Sequence, residues 1–270
     1  MTKLTPEQKL KMMEEALKIK RVEVQPQNLF QATPVVRNIN TGLLMRIWPK
    51  SETALEAYII VPTQPREDYP YRGFAVSMYR SHPNKTWVEA HDALHAEHAF
   101  MLTPRMFVDF VDYLYKGMNG EAVVYNGNRH VLDKSVVKSI RDSVIGEPGE
   151  EWLDAEFGIV KGSGFFRKKD FSITYRGINV NGKRETFCKT LADCLMERED
   201  KVAWLGYANQ YGLPPKNYRA GRIGYYPPHN GCVARFVVGY DSKDYLDCST
   251  SKDRRSVDLG VRAGKVIRND

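Results

Sequence analysis

With 270 residues, 42% of them apolar, and a net charge of +7, the chain is long enough to bury a real core and shows no compositional sign of disorder. No basic-then-apolar leader and no apolar run near the roughly 18 residues needed to cross a bilayer stands in it, so a soluble chain made in the cytoplasm without membrane insertion is expected. Four cysteines, Cys188, Cys194, Cys232 and Cys248, show neither a C-x-x-C pair nor the density of a disulfide scaffold; a Cys232–Cys248 bridge between adjacent strands is allowed but not implied, and buried free thiols are the default reading.

In chain order, Thr5-Pro6-Glu7-Gln8 carries an N-cap, a first-turn proline and a reciprocal cap, predicting a helix to about Lys20. Residues 22–34 read as an extended arm, so residues 1–34 are set apart from a domain over 35–270. From 35 to 79 the words VVRNI, GLLMRIWP, AYIIVP and GFAVSMY read as strands broken by proline and glycine. Thr86 with Glu89 forms a capping box for a helix over 87–98, and Thr103-Pro104 opens a second whose stripe is Phe107, Phe110, Val111 and Leu114. Asp133 caps a third, with Val136 or Val137, Ile140 and Val144 inward and Gly146 at its end. Strands are expected over 154–160 and 171–180, the latter closing on Asn181-Gly182, and helical text resumes over 191–211, with room for a break near Asp200. Strands and helices do not alternate regularly, so the fold class is α+β: helices packed on a mixed or antiparallel sheet with long loops.

The C-terminal stretch 225–263 interleaves two characters. Short apolar words, VARF, then Leu246 and Cys248, then LGVRA, have strand periodicity that turns Ala234, Phe236 and Val238 to one face and Val233, Arg235 and Val237 to the other. Leu246 and Cys248 would point inward, and Tyr245, Asp247 and Ser249 outward. Between these words stand turn-forming clusters. The stretch contains no Glu, Gln, Met or Trp, although all four occur elsewhere in the chain. Its outward residues are those that AAC or AAT codons yield when their adenines are replaced at random; Lys243 and Lys252 break the pattern and are expected to be fixed positions.

These words, NGCVARF, YLDC and SVDLGVRA, resemble the variable region of the target proteins of diversity-generating retroelements. The resemblance extends over about 35–267, through Gly42-Leu43-Leu44, the two helices and Gly212-Leu213-Pro214. It implies a C-type lectin fold of the formylglycine-generating-enzyme type, known from bacteria, phages, archaea and archaeal viruses. It also implies a hypervariable, non-enzymatic ligand-binding display protein, virion- or cell-surface-associated, whose target is a protein or cell-surface ligand. The binding positions it implies are Tyr226, His229, Asn230, Tyr240, Tyr245, Asp247, Ser249, Asp253, Arg254 and Asp258. Tyrosines would supply rigid amphipathic area, and Ser, Asn and Asp adaptable hydrogen bonds.

Two other readings remain. The basic words Arg167-Lys168-Lys169 and Arg254-Arg255 allow a nucleic-acid-binding accessory protein, without a stripe, zinc-finger spacing or RNA-binding signature to carry it. His91, His95 and His98 at i, i+4 and i+7 allow a metal on one helix face, but Asp92 stands where a zinc protease needs Glu, and Trp87 and Leu94 share that face. No cofactor is expected. Neither the cysteine pair of the formylglycine-generating relatives nor the calcium-binding words of sugar-binding lectins is present; Glu147-Pro148-Gly149 departs from the first of those words.

Overall fold

The computed structural model describes residues 55–62, 73–161, 169–178, 183–196, 199–239 and 244–267. The expected N-terminal helix and arm, the words VVRNI and GLLMRIWP, the Asn181-Gly182 turn, and Tyr240 and Lys243 lie outside them.

Among the described residues the architecture is α+β, with one large mixed sheet and three helices. After a 3-10 turn at Leu55–Ala57 come β1 (Tyr58–Val61) and β2 (Phe74–Ser81), the two apolar words that the sequence marks as strands. Helix α1 (Trp87–Ala96) starts where the capping box places it: Thr86 Oγ1 accepts from Glu89 N, and the Glu89 carboxylate accepts from Thr86 N. Helix α2 (Pro104–Asn119) follows the short β3 (Phe100–Met101), with Thr103 capping Met106 N and Gly120 ending it in the left-handed region. Beyond β4 (Tyr125–Asn126), α3 (Lys134–Ile145) buries Val137, Ile140 and Val144.

The remaining strands are β5 (Gly149–Lys161), β6 (Lys169–Ile178), β7 (Arg184–Thr190), β8 (Asp200–Val202), β9 (Ile223–Tyr226), β10 (Cys232–Val238), β11 (Tyr245–Ser251) and β12 (Leu259–Val266). The sheet runs β4-β1-β2-β12-β5-β10-β11-β9-β8, with β3 added on β12 and the β6–β7 hairpin on β5. The last strand is therefore central, antiparallel to β2 and parallel to β5.

Period-two alternation divides the core. Leu153, Ala155, Phe157, Ala234, Phe236, Val238, Leu246 and Cys248 face the cluster that includes α2 and α3. On the opposite face Trp152, Val233, Leu259, Val261 and Ala263 pack under Trp87, Ala90 and Leu94 of α1. Strand β10 is consequently buried on both faces, with Arg235 the one charged side chain among its apolar residues.

The helix expected over 191–211 does not form. That segment holds loop, β8 and turns, organised by two side chains. Trp204 enters the core against Phe107 and Phe236, with ring centroids 5.9 and 5.4 Å away, and donates its indole N–H to Gly212 O. Asn209 Oδ1 accepts from Tyr211 N and Leu213 N while its amide donates to Asp193 O, replacing helical backbone bonds by local ones. Gly212 adopts φ 77°, and a Cβ there would lie 2.1 Å from Arg105 N, so only glycine allows this turn to abut the start of α2.

The buried-thiol expectation holds for Cys194 and Cys248, whereas Cys188, on the exposed strand β7, faces solvent and Cys232 is half-buried. No helix among the described residues is long and apolar enough to cross a membrane.

Candidate binding surface

The face of β9, β10, β11 and β5 that continues beyond α1 is polar. Its centre is Arg235, a cation in the middle of an otherwise apolar strand and only 7% exposed. Arg235 Nε and Nη2 donate to Asp247 Oδ2 at 3.1 and 3.0 Å, Nε also reaches Thr250 Oγ1 at 2.7 Å, and Nη1 donates to the Glu150 carboxylate. A register shift between Val233 and Arg235 makes this possible: Val233 pairs with Thr250 but Arg235 with Asp247, so β11 spends one extra residue and Thr250 returns to the side of Asp247.

Asp247 was expected to point outward, and it does lie on that face, but it is 7% exposed and fully engaged. Burial would raise its pKa. Hydrogen bonds from Thr250 Oγ1, Ser249 N and Ser249 Oγ, with the charge of Arg235, outweigh that and hold the carboxyl below the ordinary aspartate range.

Above this floor the aromatic residues are presented. Tyr226 is 37% exposed and packs edge-on against half-buried Tyr245, ring centroids 5.4 Å apart, because β9 runs parallel to β11 with Tyr226 beside Asp247. The Arg235 guanidinium lies 5.9 Å from the Tyr245 ring. Arg254, exposed, returns to Glu150 with Nη2 at 3.1 Å from Oε1. Tyr226, Tyr245, Asp247, Ser249 and Arg254 are thus connected through direct contacts or one intermediary.

The other expected positions lie around or away from this group. His229 is exposed, with its N–H directed to Cys248 O at 3.4 Å, and Asn230 is exposed but uses its side-chain oxygen to accept from Ile159 N. Asp253 is exposed on the connection between β11 and β12. Asp258, also exposed, lines a separate cavity with Arg80 and Arg262. Glu150, Arg235 and Thr250 were not among the expected site residues. The unmatched charge in VARF is a signal for Arg235, whereas nothing in the C-terminal words points to Glu150, which joins from β5.

The connection 252–258 is tied down along its length. Lys252 pairs with Glu156 at 3.5 Å, Arg254 with Glu150, and Arg255 with Glu89 at 2.6 Å. Trp87 N donates to Lys252 O and Asn84 N to Ser256 O, so the segment is strapped across the start of α1.

The histidine face expected on α1 is broken. The helix ends at Ala96, and His98 stands beyond it with φ 54°, so it does not continue the row of His91 and His95. His91 is buried edge-on against Trp87, its Nε2 3.3 Å from Asp154, whose oxygens both accept from Arg176 N. Among the described residues no group of three or more His, Cys, Asp or Glu side chains is placed to hold a metal ion. No family model, curated protein or solved structure matches this chain.

Proposed function

We propose that this chain is a binding protein rather than an enzyme, a display scaffold of the C-type-lectin, retroelement-diversified kind, whose ligand is captured by the face around Tyr226 and Tyr245. The observation that carries the reading is the separation of roles within β9–β11. Tyr225, Phe236, Leu246 and Cys248 are buried in one core, while their neighbours Tyr226 and Tyr245 stand on the other face and are partly open. Such a division lets presented side chains change while the packing beneath them does not. Rigid tyrosines beside serine and charged groups give contact area at low entropy cost, and the strap of 252–258 preorganises the rim.

A macromolecular target, protein or cell-surface ligand, suits a face that presents exposed Tyr226 and Arg254 beside half-buried Tyr245 and Ser249. The basic-patch reading is less favoured by one observation: Lys252, Arg254 and Arg255 are each engaged with a carboxylate, which leaves less free positive charge for phosphates on that segment. The diversification itself is tested in the coding DNA. A near-copy of the codons for 225–263 beside a reverse-transcriptase gene is expected, and its absence would remove the diversification. Binding is tested by panning the purified chain against surface proteins of its host or prey cells and repeating the capture with Tyr226→Ser/Tyr245→Ser. A hit retained at full affinity by the double variant would relocate the site.

A further inference from the structure

Strand β7 closes the hairpin with β6 and ends its branch of the sheet: among the described residues no strand pairs with its other edge. Its seven residues keep an unbroken register on β6, from Thr190 opposite Ser172 to Arg184 opposite Ile178, with neither a bulge nor a proline. Five of them are exposed, and Phe187 and Lys189 are half-buried. A long, regular edge of this kind is a template for another strand, which is why folds usually cover or distort such edges.

One hydrogen bond fixes where the backbone groups point. Leu191 N donates to Phe171 O at 2.7 Å, which makes that pair a bonded one in the antiparallel ladder. Bonded pairs recur at every second residue. Lys189, Phe187 and Glu185 therefore turn their N–H and C=O groups to β6, and Arg184, Thr186, Cys188 and Thr190 turn theirs outward. The Tyr211 hydroxyl agrees with this, donating to Thr190 O at 2.9 Å from outside the hairpin, and it marks where the open edge stops.

The edge is complementary to itself. When two copies of β7 meet antiparallel about a two-fold axis at Phe187, Thr186 bonds with Cys188 of the second copy and the reverse, and Glu185 stands opposite Lys189 in both directions. That charged pair falls at non-bonded positions, where facing side chains approach most closely and opposite charges stabilise the pairing. Phe187 already packs against the core cluster that includes α2, so its open part meets its own counterpart and continues that core across the axis. Shifting the axis by one residue removes the match: centred on Thr186, Lys183 opposes Lys189, and centred on Cys188, Glu185 opposes Leu191. We propose that β7 pairs in this register with β7 of a second copy, so that the chain forms a symmetric dimer through its hairpin edge. A single strand pair is small against the roughly 1,200 Å² of a stable interface, so the dimer is reversible, with a dissociation constant in the micromolar range. It carries two tyrosine surfaces and does not depend on what they bind.

The test is sedimentation equilibrium of the full chain from about 1 to 300 μM, a range that brackets micromolar association, at low salt where charge pairs are least screened. A reversible monomer–dimer equilibrium is expected. Thr186→Pro removes an outward N–H that β6 does not use, so the hairpin keeps its ladder while dimerisation should weaken by about tenfold or more. Glu185→Lys sets like charges opposite each other and should also weaken the dimer, and adding Lys189→Glu to it should restore the association, which damage to the hairpin alone would not allow. A chain that stays monomeric throughout, undiminished dimerisation of Thr186→Pro, or a double variant no better than Glu185→Lys would each overturn the proposal. The charge reversal decides the matter if Thr186→Pro fails to fold.

Discussion

Asp247 and Arg235 show how a buried charge pair is made tolerable. Each is 7% exposed, and the cost of removing both from water is offset only because nearly every donor and acceptor finds a partner. Removing one member leaves the other stranded, so Asp247→Asn should destabilise by about 1–3 kcal/mol in urea unfolding. This residue would be neutral if it lay on the solvent side. The pH dependence follows from the lowered pKa: a carboxyl held below its unfolded value stabilises the fold above that unfolded value, and the contribution is lost as pH falls through the folded one. Unfolding midpoints should therefore decline on the acid side of the ordinary aspartate range, and the decline should be shallower in Asp247→Asn. An equally steep decline in the variant would assign the acid sensitivity to other carboxylates.

At the scale of elements, β10 and the strap between β11 and β12 do opposite work. Strand β10 is buried on both faces, and Phe236 packs between Phe107 and Trp204, with ring centroids 5.2 and 5.4 Å away. Phe236→Ala should cost about 3–5 kcal/mol, and Leu246→Ala about 2–5, measured as a shift in the denaturation midpoint at constant slope. The strap is held instead by ion pairs at the surface. The Arg255 and Glu89 side chains are half-exposed, and the worth of such a pair is at most about 1 kcal/mol and falls with salt. Arg255→Ala should accordingly leave global stability nearly unchanged while speeding amide exchange at Asn84 and Trp87, the donors that hold the strap. Loss of global stability beyond about 2 kcal/mol would mean that the strap belongs to the core.

Across the whole molecule the last strand joins what comes before it. Strand β12 lies between β2 and β5 and contributes Leu259, Val261 and Ala263 to the core under α1. Its pairing with residues about 185 positions away, as Arg262 with Ser77 O, closes the sheet late in the chain. Deleting 259–270 should therefore leave no cooperative unfolding transition, because both neighbouring strands lose a ladder of backbone bonds and both faces lose buried area. A truncated chain that still melts cooperatively would show that β5 and β10 form a core without it.

Local chemistry determined what could be read from the amino acids alone. The capping box at Thr86 and Glu89, the Thr103-Pro104 start, the Val137, Ile140 and Val144 stripe and the alternation in β10 act over a few residues and appear where expected. No strand was expected over 184–190, where β7 pairs with β6. Tertiary packing decided the rest. Helical propensity over 191–211 lost to Trp204, which gains more by entering the aromatic core than a solvated helix would provide. The row of histidines ended at His95 because the chain turns at Glu97. Asp247 became buried because a bulge in β11 and Glu150 from β5 enclose Arg235, and neither neighbour can be inferred from the spacing around Asp247 itself. Which outward residues are free to meet a ligand therefore depends on contacts made across the sheet, whereas which residues alternate outward is written in the period of the strand.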